Sequence, residues 1–203
     1  MPEVIYEDEY IIVINKPAGI LTVPTDKDKK NDLTAKLNGK LEARGEVYKA
    51  HPCHRLDRET SGAIIYAKGK RNQQIMMKLF HKNEIKKTYI ALVSGVPNKK
   101  EGIINFKIDG KEALSGYTVI AEKKGYSIVE VELFTGRTNQ IRIHFKMIGH
   151  PLLGETKYAF RKDFDIKFKR TALHSYSLEF AHPITGARLN ITAEVPNDIK
   201  KMF

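Results

Sequence analysis

The sequence predicts an α+β fold built around a mainly antiparallel β-sheet. Two strand-like stretches in its second half each fold back over a glycine-containing turn, which predicts two β-hairpins. Helical periodicity appears twice in the first half and once between the hairpins. We therefore expect a mixed sheet of mostly antiparallel strands, flanked by helices and loops.

The first 44 residues predict one strand, one loop and one helix. Tyr10 to Asn15 is apolar and β-branched and stops at Lys16-Pro17-Ala18-Gly19, as expected of a buried strand that enters a turn. The polar run from Thr25 to Asp32 predicts a surface loop. Asp32 is a candidate cap for a helix to about Arg44, with Leu33, Leu37 and Leu41 on one face.

The middle of the chain mixes the two kinds of element. Gly62 to Ala67 predicts a strand, Lys70 to Lys82 a helix, and Lys87 to Ser94 another strand. The inward face of that helix is predicted to carry Ile75, Met76, Leu79 and Phe80.

The second half supplies the hairpins. Leu114 to Ala121 and Ser127 to Phe134 form the first, and Leu173 to Phe180 and Ala187 to Val195 form the second. Between them, a helix is predicted to start at about Thr138, with Ile141, Phe145 and Ile148 on one stripe. It should end at Gly149, before Pro151.

Composition limits the classes of protein to which this chain can belong. We predict that residues 1–203 form a single domain, because no repeat, low-complexity tract or linker interrupts the chain. The apolar runs are too short to span a membrane, and no signal segment opens the chain. The chain also has a single cysteine, as is usual in a reducing compartment. We therefore expect a cytoplasmic protein that does not bind or cross a membrane.

The net charge of +11 favours a polyanionic partner. A nucleic acid is favoured over an acidic membrane surface. The alternative is a basic surface that is solvated and binds no particular partner. Many of the basic residues nevertheless cluster in two stretches that are candidates to bind phosphates. These are Lys68, Lys70, Arg71, Lys78, Lys82, Lys86 and Lys87, and then Lys157, Arg161, Lys162, Lys167, Lys169 and Arg170.

The segment from His54 to Gly62, which reads HRLDRETSG, is the most polar stretch beside a predicted strand. Asp57 lies between two arginines in sequence, which helps its carboxylate to stay ionised. An arbitrary aspartate is more often a turn former or a surface ion-pair partner. The residues around Asp57 decide between these interpretations.

The pattern His-Arg-Leu-Asp-x-x-Thr-Ser-Gly resembles the signature of the RluA-like pseudouridine synthases, and every fixed position is present. The resemblance extends over nearly the whole chain. It implies the pseudouridine synthase fold with a central catalytic cleft, isomerisation of uridine to pseudouridine in RNA, and Asp57 as the catalytic carboxylate. The substrates of similar relatives imply ribosomal RNA, transfer RNA or both.

Two further segments are similar to motifs of that family. Residues 135–144, TGRTNQIRIH, contain near their end the position at which the family has an arginine that pairs with the catalytic aspartate. This position is Arg142 here. Arg137 is the alternative partner for Asp57, and otherwise a phosphate contact. Residues 86–91, KKTYIA, place Tyr89 where the family has a tyrosine that stacks on the target uracil. Outside such a context, Tyr89 would be a core residue.

The resemblance also assigns RNA contacts. Arg55 matches a residue that enters the base stack when the uridine is flipped out, and we expect His54 and Arg137 to share in RNA binding and base flipping. Asn139 departs from the family, which usually has histidine there. Many relatives also carry an additional N-terminal RNA-binding domain, whereas the catalytic pattern begins here at about Val4.

We expect no cofactor and no metal, because the chain has no glycine-rich nucleotide loop and no second ligand pair to accompany His51, Cys53 and His54. We also expect a monomer without an obligatory protein partner. Two other functions remain as alternatives: an RNA-binding protein without catalysis, and a hydrolase that uses Asp57 as nucleophile.

Overall fold

The computed structural model describes residues 3–25, 32–160 and 164–203. These residues form ten strands and four helices, so the predicted α+β class is confirmed. In chain order they are β1 (Glu3–Glu7), β2 (Ile11–Lys16), α1 (Leu33–Ala43), β3 (Ala50–Pro52), β4 (Ser61–Lys68), α2 (Gly69–His81), β5 (Lys86–Ser94), β6 (Glu101–Ile104), β7 (Ser115–Lys123), β8 (Tyr126–Leu133), α3 (Gln140–Met147), β9 (Leu173–Ala181), β10 (Arg188–Thr192) and α4 (Asn197–Lys200).

The chain separates into two compact units. Unit 1 contains residues 1–85 and 177–194, and unit 2 contains residues 86–176 and 195–203. The single catalytic domain over residues 1–203 stays a prediction. Among the described residues, none of the helices is both long and apolar enough to cross a membrane. Positions 26–31 of the predicted loop from Thr25 to Asp32 lie outside the described residues.

The strands of unit 1 lie in the order β1, β2, β4 and then the part of β9 from Ser177 onward, with β3 beside β4 and β10 beside β9. The β1–β2, β2–β4, β3–β4 and β9–β10 pairs are antiparallel. Alternate residues of its strands enter one core, because successive strand residues face opposite sides of a sheet. That core includes Ile11, Val13, Ala63, Ile65 and Leu178.

The two helices of unit 1 follow their sequence signals. The Asp32 carboxylate caps α1 by accepting a hydrogen bond from the Ala35 N–H at 3.0 Å, and Leu33, Leu37 and Leu41 are buried, as predicted. In α2 only Met76 of the predicted inward face is fully buried. Leu79 and Phe80 pack partly against the core, and Ile75 is half-buried.

Unit 2 contains a sheet in the order β5, β8, β7, β6, and these neighbours are antiparallel. The predicted hairpin of β7 and β8 is present, with Lys124 and Gly125 at the turn and a φ of 85° at Gly125. The core of this unit includes Ile90, Leu92 and Ile128.

Helix α3 begins two residues later than predicted. Asn139, immediately before it, has a left-handed backbone with φ 54° and ψ 25°, which a right-handed helix cannot include. Ile141 and Phe145 are buried as predicted, but Ile148 is only half-buried and His144 takes the remaining buried place. The helix gives way to Gly149, whose φ is 84°.

Candidate active site

Asp57 lies in the connection between β3 and β4, and the residue before it is firmly anchored. The Thr22 hydroxyl donates to the Leu56 carbonyl at 3.0 Å and accepts from the Leu56 N–H at 3.2 Å. Both Thr22 and Leu56 are buried, so water cannot easily replace either bond. The polypeptide is therefore fixed one residue ahead of the Asp57 carboxylate.

The residue after Asp57 is anchored as well. The ammonium group of Lys16, at the end of β2, is fully buried and donates to the carbonyls of Pro17 and Arg58 at 3.0 Å each. The Arg58 carbonyl also accepts the N–H of Gly19 at 2.8 Å. A buried charge needs such partners, so Lys16 ties two stretches of unit 1 together at the loop that carries Asp57.

Within this loop the side chains differ in exposure. Asp57 is half-buried and its carbonyl accepts the N–H of Thr60 at 3.1 Å, which closes a turn. Arg55 is exposed, as its predicted RNA contact requires. His54 has a place in the fold of unit 1: its Nε2 accepts the Ile65 N–H at 3.0 Å and its ring stacks on Phe80 at 4.6 Å.

Cys53 precedes these residues and is buried. Burial raises the pKa of its thiol to about 12, so the sulfur stays protonated at neutral pH. It is therefore a core residue of unit 1 and not a nucleophile.

The second motif, in unit 2, is organised by Gln140 at the start of α3. The side-chain oxygen of Gln140 accepts the Thr135 hydroxyl at 2.8 Å and the Arg137 N–H at 2.9 Å. Its amide donates to the Leu114 carbonyl and the Ser115 hydroxyl at 3.0 and 2.9 Å. This buried amide fixes the turn from which α3 begins.

His144, one turn further along α3, continues the same network. Its Nε2 lies 3.1 Å from the Phe106 carbonyl, which can only accept, so this nitrogen carries the proton. Its Nδ1 lies 3.0 Å from the Ser115 hydroxyl and accepts from it. Burial lowers the pKa of His144, consistent with a neutral ring.

Arg142 lies on α3 between these residues, and its guanidinium is largely enclosed. Its Nε and Nη2 donate to the two carboxylate oxygens of Glu155 at 2.7 Å each. Its Nη1 donates to the Asn139 side-chain oxygen at 3.0 Å. Its central carbon lies 5.3 Å from the centre of the Tyr158 ring, within the range of a cation–π contact.

Arg137, the alternative partner for Asp57, has a different setting. Its side chain is exposed, and its Nε donates to the Glu112 carbonyl at 2.9 Å. It therefore lies on the surface of unit 2, whereas Arg142 is held in a buried ion pair with only 12% of its side chain exposed.

Tyr89 lies in the middle of β5, opposite Val131 of β8, and only 6% of it is exposed. His54, Arg55 and Asp57 belong to unit 1, and Tyr89, Arg137 and Arg142 to unit 2. The structure thus places three candidate residues in each unit. The pairing of Asp57 with Arg142 stays a prediction.

The sequence did not point to four of the residues that build these two sites. Lys16 marks only the end of a predicted strand in the sequence, and no catalytic motif includes Thr22, Glu155 or Tyr158. Glu155 follows Gly154 in a loop, where hydrophobic periodicity gives no signal.

Comparisons with known proteins identify the family. Residues 10–147 match the family model described as RNA pseudouridylate synthase. The uncharacterized RNA pseudouridine synthase YhcT of Bacillus subtilis is 34% identical over 216 residues, which cover 98% of this chain and 70% of the relative. Ribosomal large subunit pseudouridine synthase D of Zymomonas mobilis is 34% identical over 226 residues, with 99% and 71% covered.

Solved structures show the same fold. Human RNA Pseudouridylate Synthase Domain Containing 4 matches 97% of this chain and 90% of its own with a TM-score of 0.78 at 23% identity. Human RNA Pseudouridylate Synthase Domain Containing 1 matches 97% and 84%, with a TM-score of 0.79 and 23% identity. The predicted pseudouridine synthase fold and the resemblance to the RluA-like enzymes are confirmed. The chain therefore belongs to the RNA pseudouridylate synthase family, whose members isomerise uridine to pseudouridine in RNA.

Proposed function

We propose that this chain isomerises specific uridines of structured RNA with Asp57 as its catalytic carboxylate. The observation that carries the proposal is the anchoring of the polypeptide on both sides of Asp57, by Thr22 at Leu56 and by Lys16 at Arg58. A reacting group gains rate when its position is fixed before substrate arrives. The complete HRLDRETSG motif, in a family member, supports the same assignment.

The reaction begins with removal of the target uridine from its base stack, at a cost of a few kcal/mol. Arg55 is the candidate to enter the vacated place, because it is exposed and its planar guanidinium can stack and donate hydrogen bonds. We assign RNA binding to His54 and Arg137 as well. The exposed Arg137 suits a phosphate contact, while the His54 ring is partly engaged by Ile65 and Phe80.

Asp57 then promotes cleavage of the bond between uracil N1 and ribose C1′, either by attack on the sugar or by assisting elimination. The detached uracil turns so that its C5 bonds to C1′. After attack on the sugar, this bond displaces the Asp57 carboxylate from C1′; after elimination, the ribose regains the proton that it lost from C2′. The proton on C5 is then removed and N1 gains a proton, with Tyr89 as the residue that stacks on the base and assists. All atoms of the uridine except exchanged protons are retained. The reaction as written needs no cofactor, metal or redox partner.

The proposed substrate is ribosomal RNA, transfer RNA or both, with ribosomal RNA of the large subunit as the first candidate. The first choice rests on relatives named ribosomal large subunit pseudouridine synthase D, including that of Zymomonas mobilis. Mapping pseudouridine in total RNA with and without the gene shows whether ribosomal RNA, transfer RNA or both are modified. The proposed monomer is tested by sedimentation at working concentration.

Release of tritium from RNA labelled at uracil C5 tests the proposed chemistry directly. We expect release with the native protein and none above background with Asp57→Asn. Glu59→Gln is the matched control, because it removes the same charge from the same loop, and it should keep most of the activity. Failure of the native protein to release tritium from any cellular RNA would support the RNA-binding protein without catalysis.

A second comparison separates the two candidate arginines. Arg142→Ala should abolish turnover while RNA affinity stays nearly unchanged, because the carboxylate loses its partner. Arg137→Ala should weaken RNA binding and leave turnover at saturating RNA within a few-fold of the native value. The reverse pattern would transfer the pairing role to Arg137. Hydrolysis products without pseudouridine would favour the hydrolase.

A further inference from the structure

We propose that Glu155 is a positioning residue for the isomerisation, and that it acts by fixing the orientation of the Arg142 guanidinium. The inference rests on the proposed function of Arg142 and concerns a residue that the sequence motifs do not include. All the contacts that carry it lie within unit 2.

Glu155 is built into the fold as a rigid carboxylate. Its side chain is fully buried. One oxygen accepts the N–H groups of Thr156, Lys157 and Tyr158 at 3.0, 2.8 and 3.3 Å, so the turn that follows Glu155 wraps around its own carboxylate. A carboxylate that accepts several backbone N–H groups is held both in place and in its ionised form.

This carboxylate fixes the plane of the guanidinium. The two parallel bonds from Arg142 Nε and Nη2, both 2.7 Å, leave the guanidinium no freedom to rotate about its long axis. The same bonds occupy the side of the guanidinium that contains Nε. The donors that remain on Nη1 and Nη2 therefore have fixed directions.

Asn139 and Tyr158 complete the support. The Asn139 side chain accepts from Arg142 Nη1 at 3.0 Å and donates to the Tyr158 hydroxyl at 2.8 Å, which places the Tyr158 ring beside the guanidinium. The left-handed backbone at Asn139 is tolerated by asparagine better than by most residues. The amide at this position thus takes part in holding Arg142, at the position where this chain departs from the usual histidine.

A second ion pair in unit 2 provides the comparison for this arrangement. Arg170 donates to both oxygens of Asp198, from Nε at 2.7 Å and from Nη2 at 3.1 Å. It has the same two-bond geometry as Arg142 with Glu155, but neither residue belongs to a predicted catalytic motif. The pairs also differ in burial, because the Asp198 side chain is 47% exposed and the Glu155 side chain is fully buried, so stability is measured alongside kcat.

The experiment compares Glu155→Gln with Asp198→Asn in the full chain, using tritium release to obtain kcat and KM, and thermal unfolding for stability. Both variants should unfold at lower temperature. Glu155→Gln should lower kcat by about 30-fold or more with KM within about 3-fold, and Asp198→Asn should leave kcat within about 2-fold. Equal effects on kcat would overturn the proposal.

The double variant distinguishes action through Arg142 from a general loss of structure. In an Arg142→Lys background, Glu155→Gln should cost less than about 3-fold further in kcat, because the group it orients is already gone. Independent, multiplicative losses would overturn the proposal. Glu155→Asp, which keeps the charge, should retain more kcat than Glu155→Gln.

Two outcomes separate this inference from the proposed function. Full activity of Arg142→Lys and Arg142→Ala would refute the role of Arg142 itself. Inactive Arg142 variants with a fully active, folded Glu155→Gln would refute the inference alone. Should Glu155→Gln fail to fold, Asn139→Ala takes its place and should lower kcat by about 3- to 10-fold with KM unchanged; unchanged kcat would count against the proposal.

Discussion

At the scale of single residues, the candidate sites depend on buried charges that have specific partners. Lys16 is fully buried and is held by two carbonyls, and the buried Glu155 receives Arg142 and three backbone N–H groups. Burying a charge is costly unless it is paired, and removing one partner leaves the other charge uncompensated. Such residues therefore stabilise particular geometries more than they stabilise the fold.

The pKa of Glu155 leads to a prediction about acid stability. Burial raises the pKa of this carboxyl group, but the hydrogen bonds and charge of Arg142 and the N–H groups of Lys157 and Tyr158 outweigh burial and lower it below the ordinary 4.5. Because the pKa is lower in the folded state, the stabilisation is complete above pH 4.5 and is lost as the pH falls through the folded-state pKa.

Urea denaturation at several pH values measures this effect. The difference in unfolding free energy between the native protein and Glu155→Gln should be largest at neutral pH, about 3 kcal/mol or more. It should shrink as the pH falls below 4.5. A difference that stays constant from pH 7 into this acid range would show that the ionised form of Glu155 contributes nothing to stability.

At the scale of elements, the sequence predicts most strands and helices because local signals agree with the fold. The Asp32 cap and the leucines of α1, and the Gly125 turn of the β7–β8 hairpin, are examples. Strands β1, β3 and β6 were missed, since they have three to five residues and are defined by their neighbours. The second hairpin is shorter than predicted, with β10 at Arg188–Thr192.

For the candidate site too, the sequence predicts one part and not the other. The motifs indicate Asp57, Tyr89 and Arg142 as candidates, because the resemblance supplies their positions, and their roles stay predictions. The supports came only with the structure: Thr22 lies 34 residues from Leu56, and Glu155 lies 13 residues from Arg142. Contacts at such separations arise from the folded chain and leave no periodic trace in the sequence.

Thr22 gives the prediction that belongs to this scale, since one hydroxyl couples two loops of unit 1. Thr22→Val keeps the shape of the side chain but removes both bonds to Leu56, leaving a buried N–H and a buried carbonyl without that partner. We expect a loss of about 1 to 3 kcal/mol in unfolding free energy. We also expect lower kcat, because the Asp57 loop loses one anchor.

The exposed Thr118 on β7 provides the control. Thr118→Val makes the same chemical change on the surface of unit 2 and should alter neither stability nor kcat appreciably. Full kcat in a destabilised Thr22→Val variant would show that this anchor serves the fold of unit 1 alone.

At the scale of the whole molecule, the net charge of +11 is divided between cations that hold the fold and cations that face solvent. Among the predicted phosphate contacts, Lys68 is paired with Glu7, Arg170 is paired with Asp198, and Lys87 is buried. The first cluster keeps exposed cations on α2, namely Lys70, Arg71 and Lys78. Arg161 and Lys162 of the second cluster lie outside the described residues.

The exposed cations of α2 are therefore expected to carry part of the RNA affinity. Arg71 and Lys78 are seven residues apart on this helix, which places them on the same side two turns apart, so both can face one phosphate backbone. Replacing both by alanine should weaken RNA binding and reduce the slope of log affinity against log salt concentration by about 1 to 2, because fewer counterions are released. Filter binding at several salt concentrations measures this slope.

The matched control removes two positive charges from exposed ion pairs in unit 2. Lys100 is paired with Glu122 and Lys107 with Glu112, so their replacement by alanine lowers the net charge of the protein by the same amount. If affinity follows net charge alone, both double variants will weaken RNA binding equally. A larger loss for the α2 variant, with kcat at saturating RNA unchanged, would place a phosphate-binding surface on α2 and separate RNA binding from the chemistry proposed at Asp57.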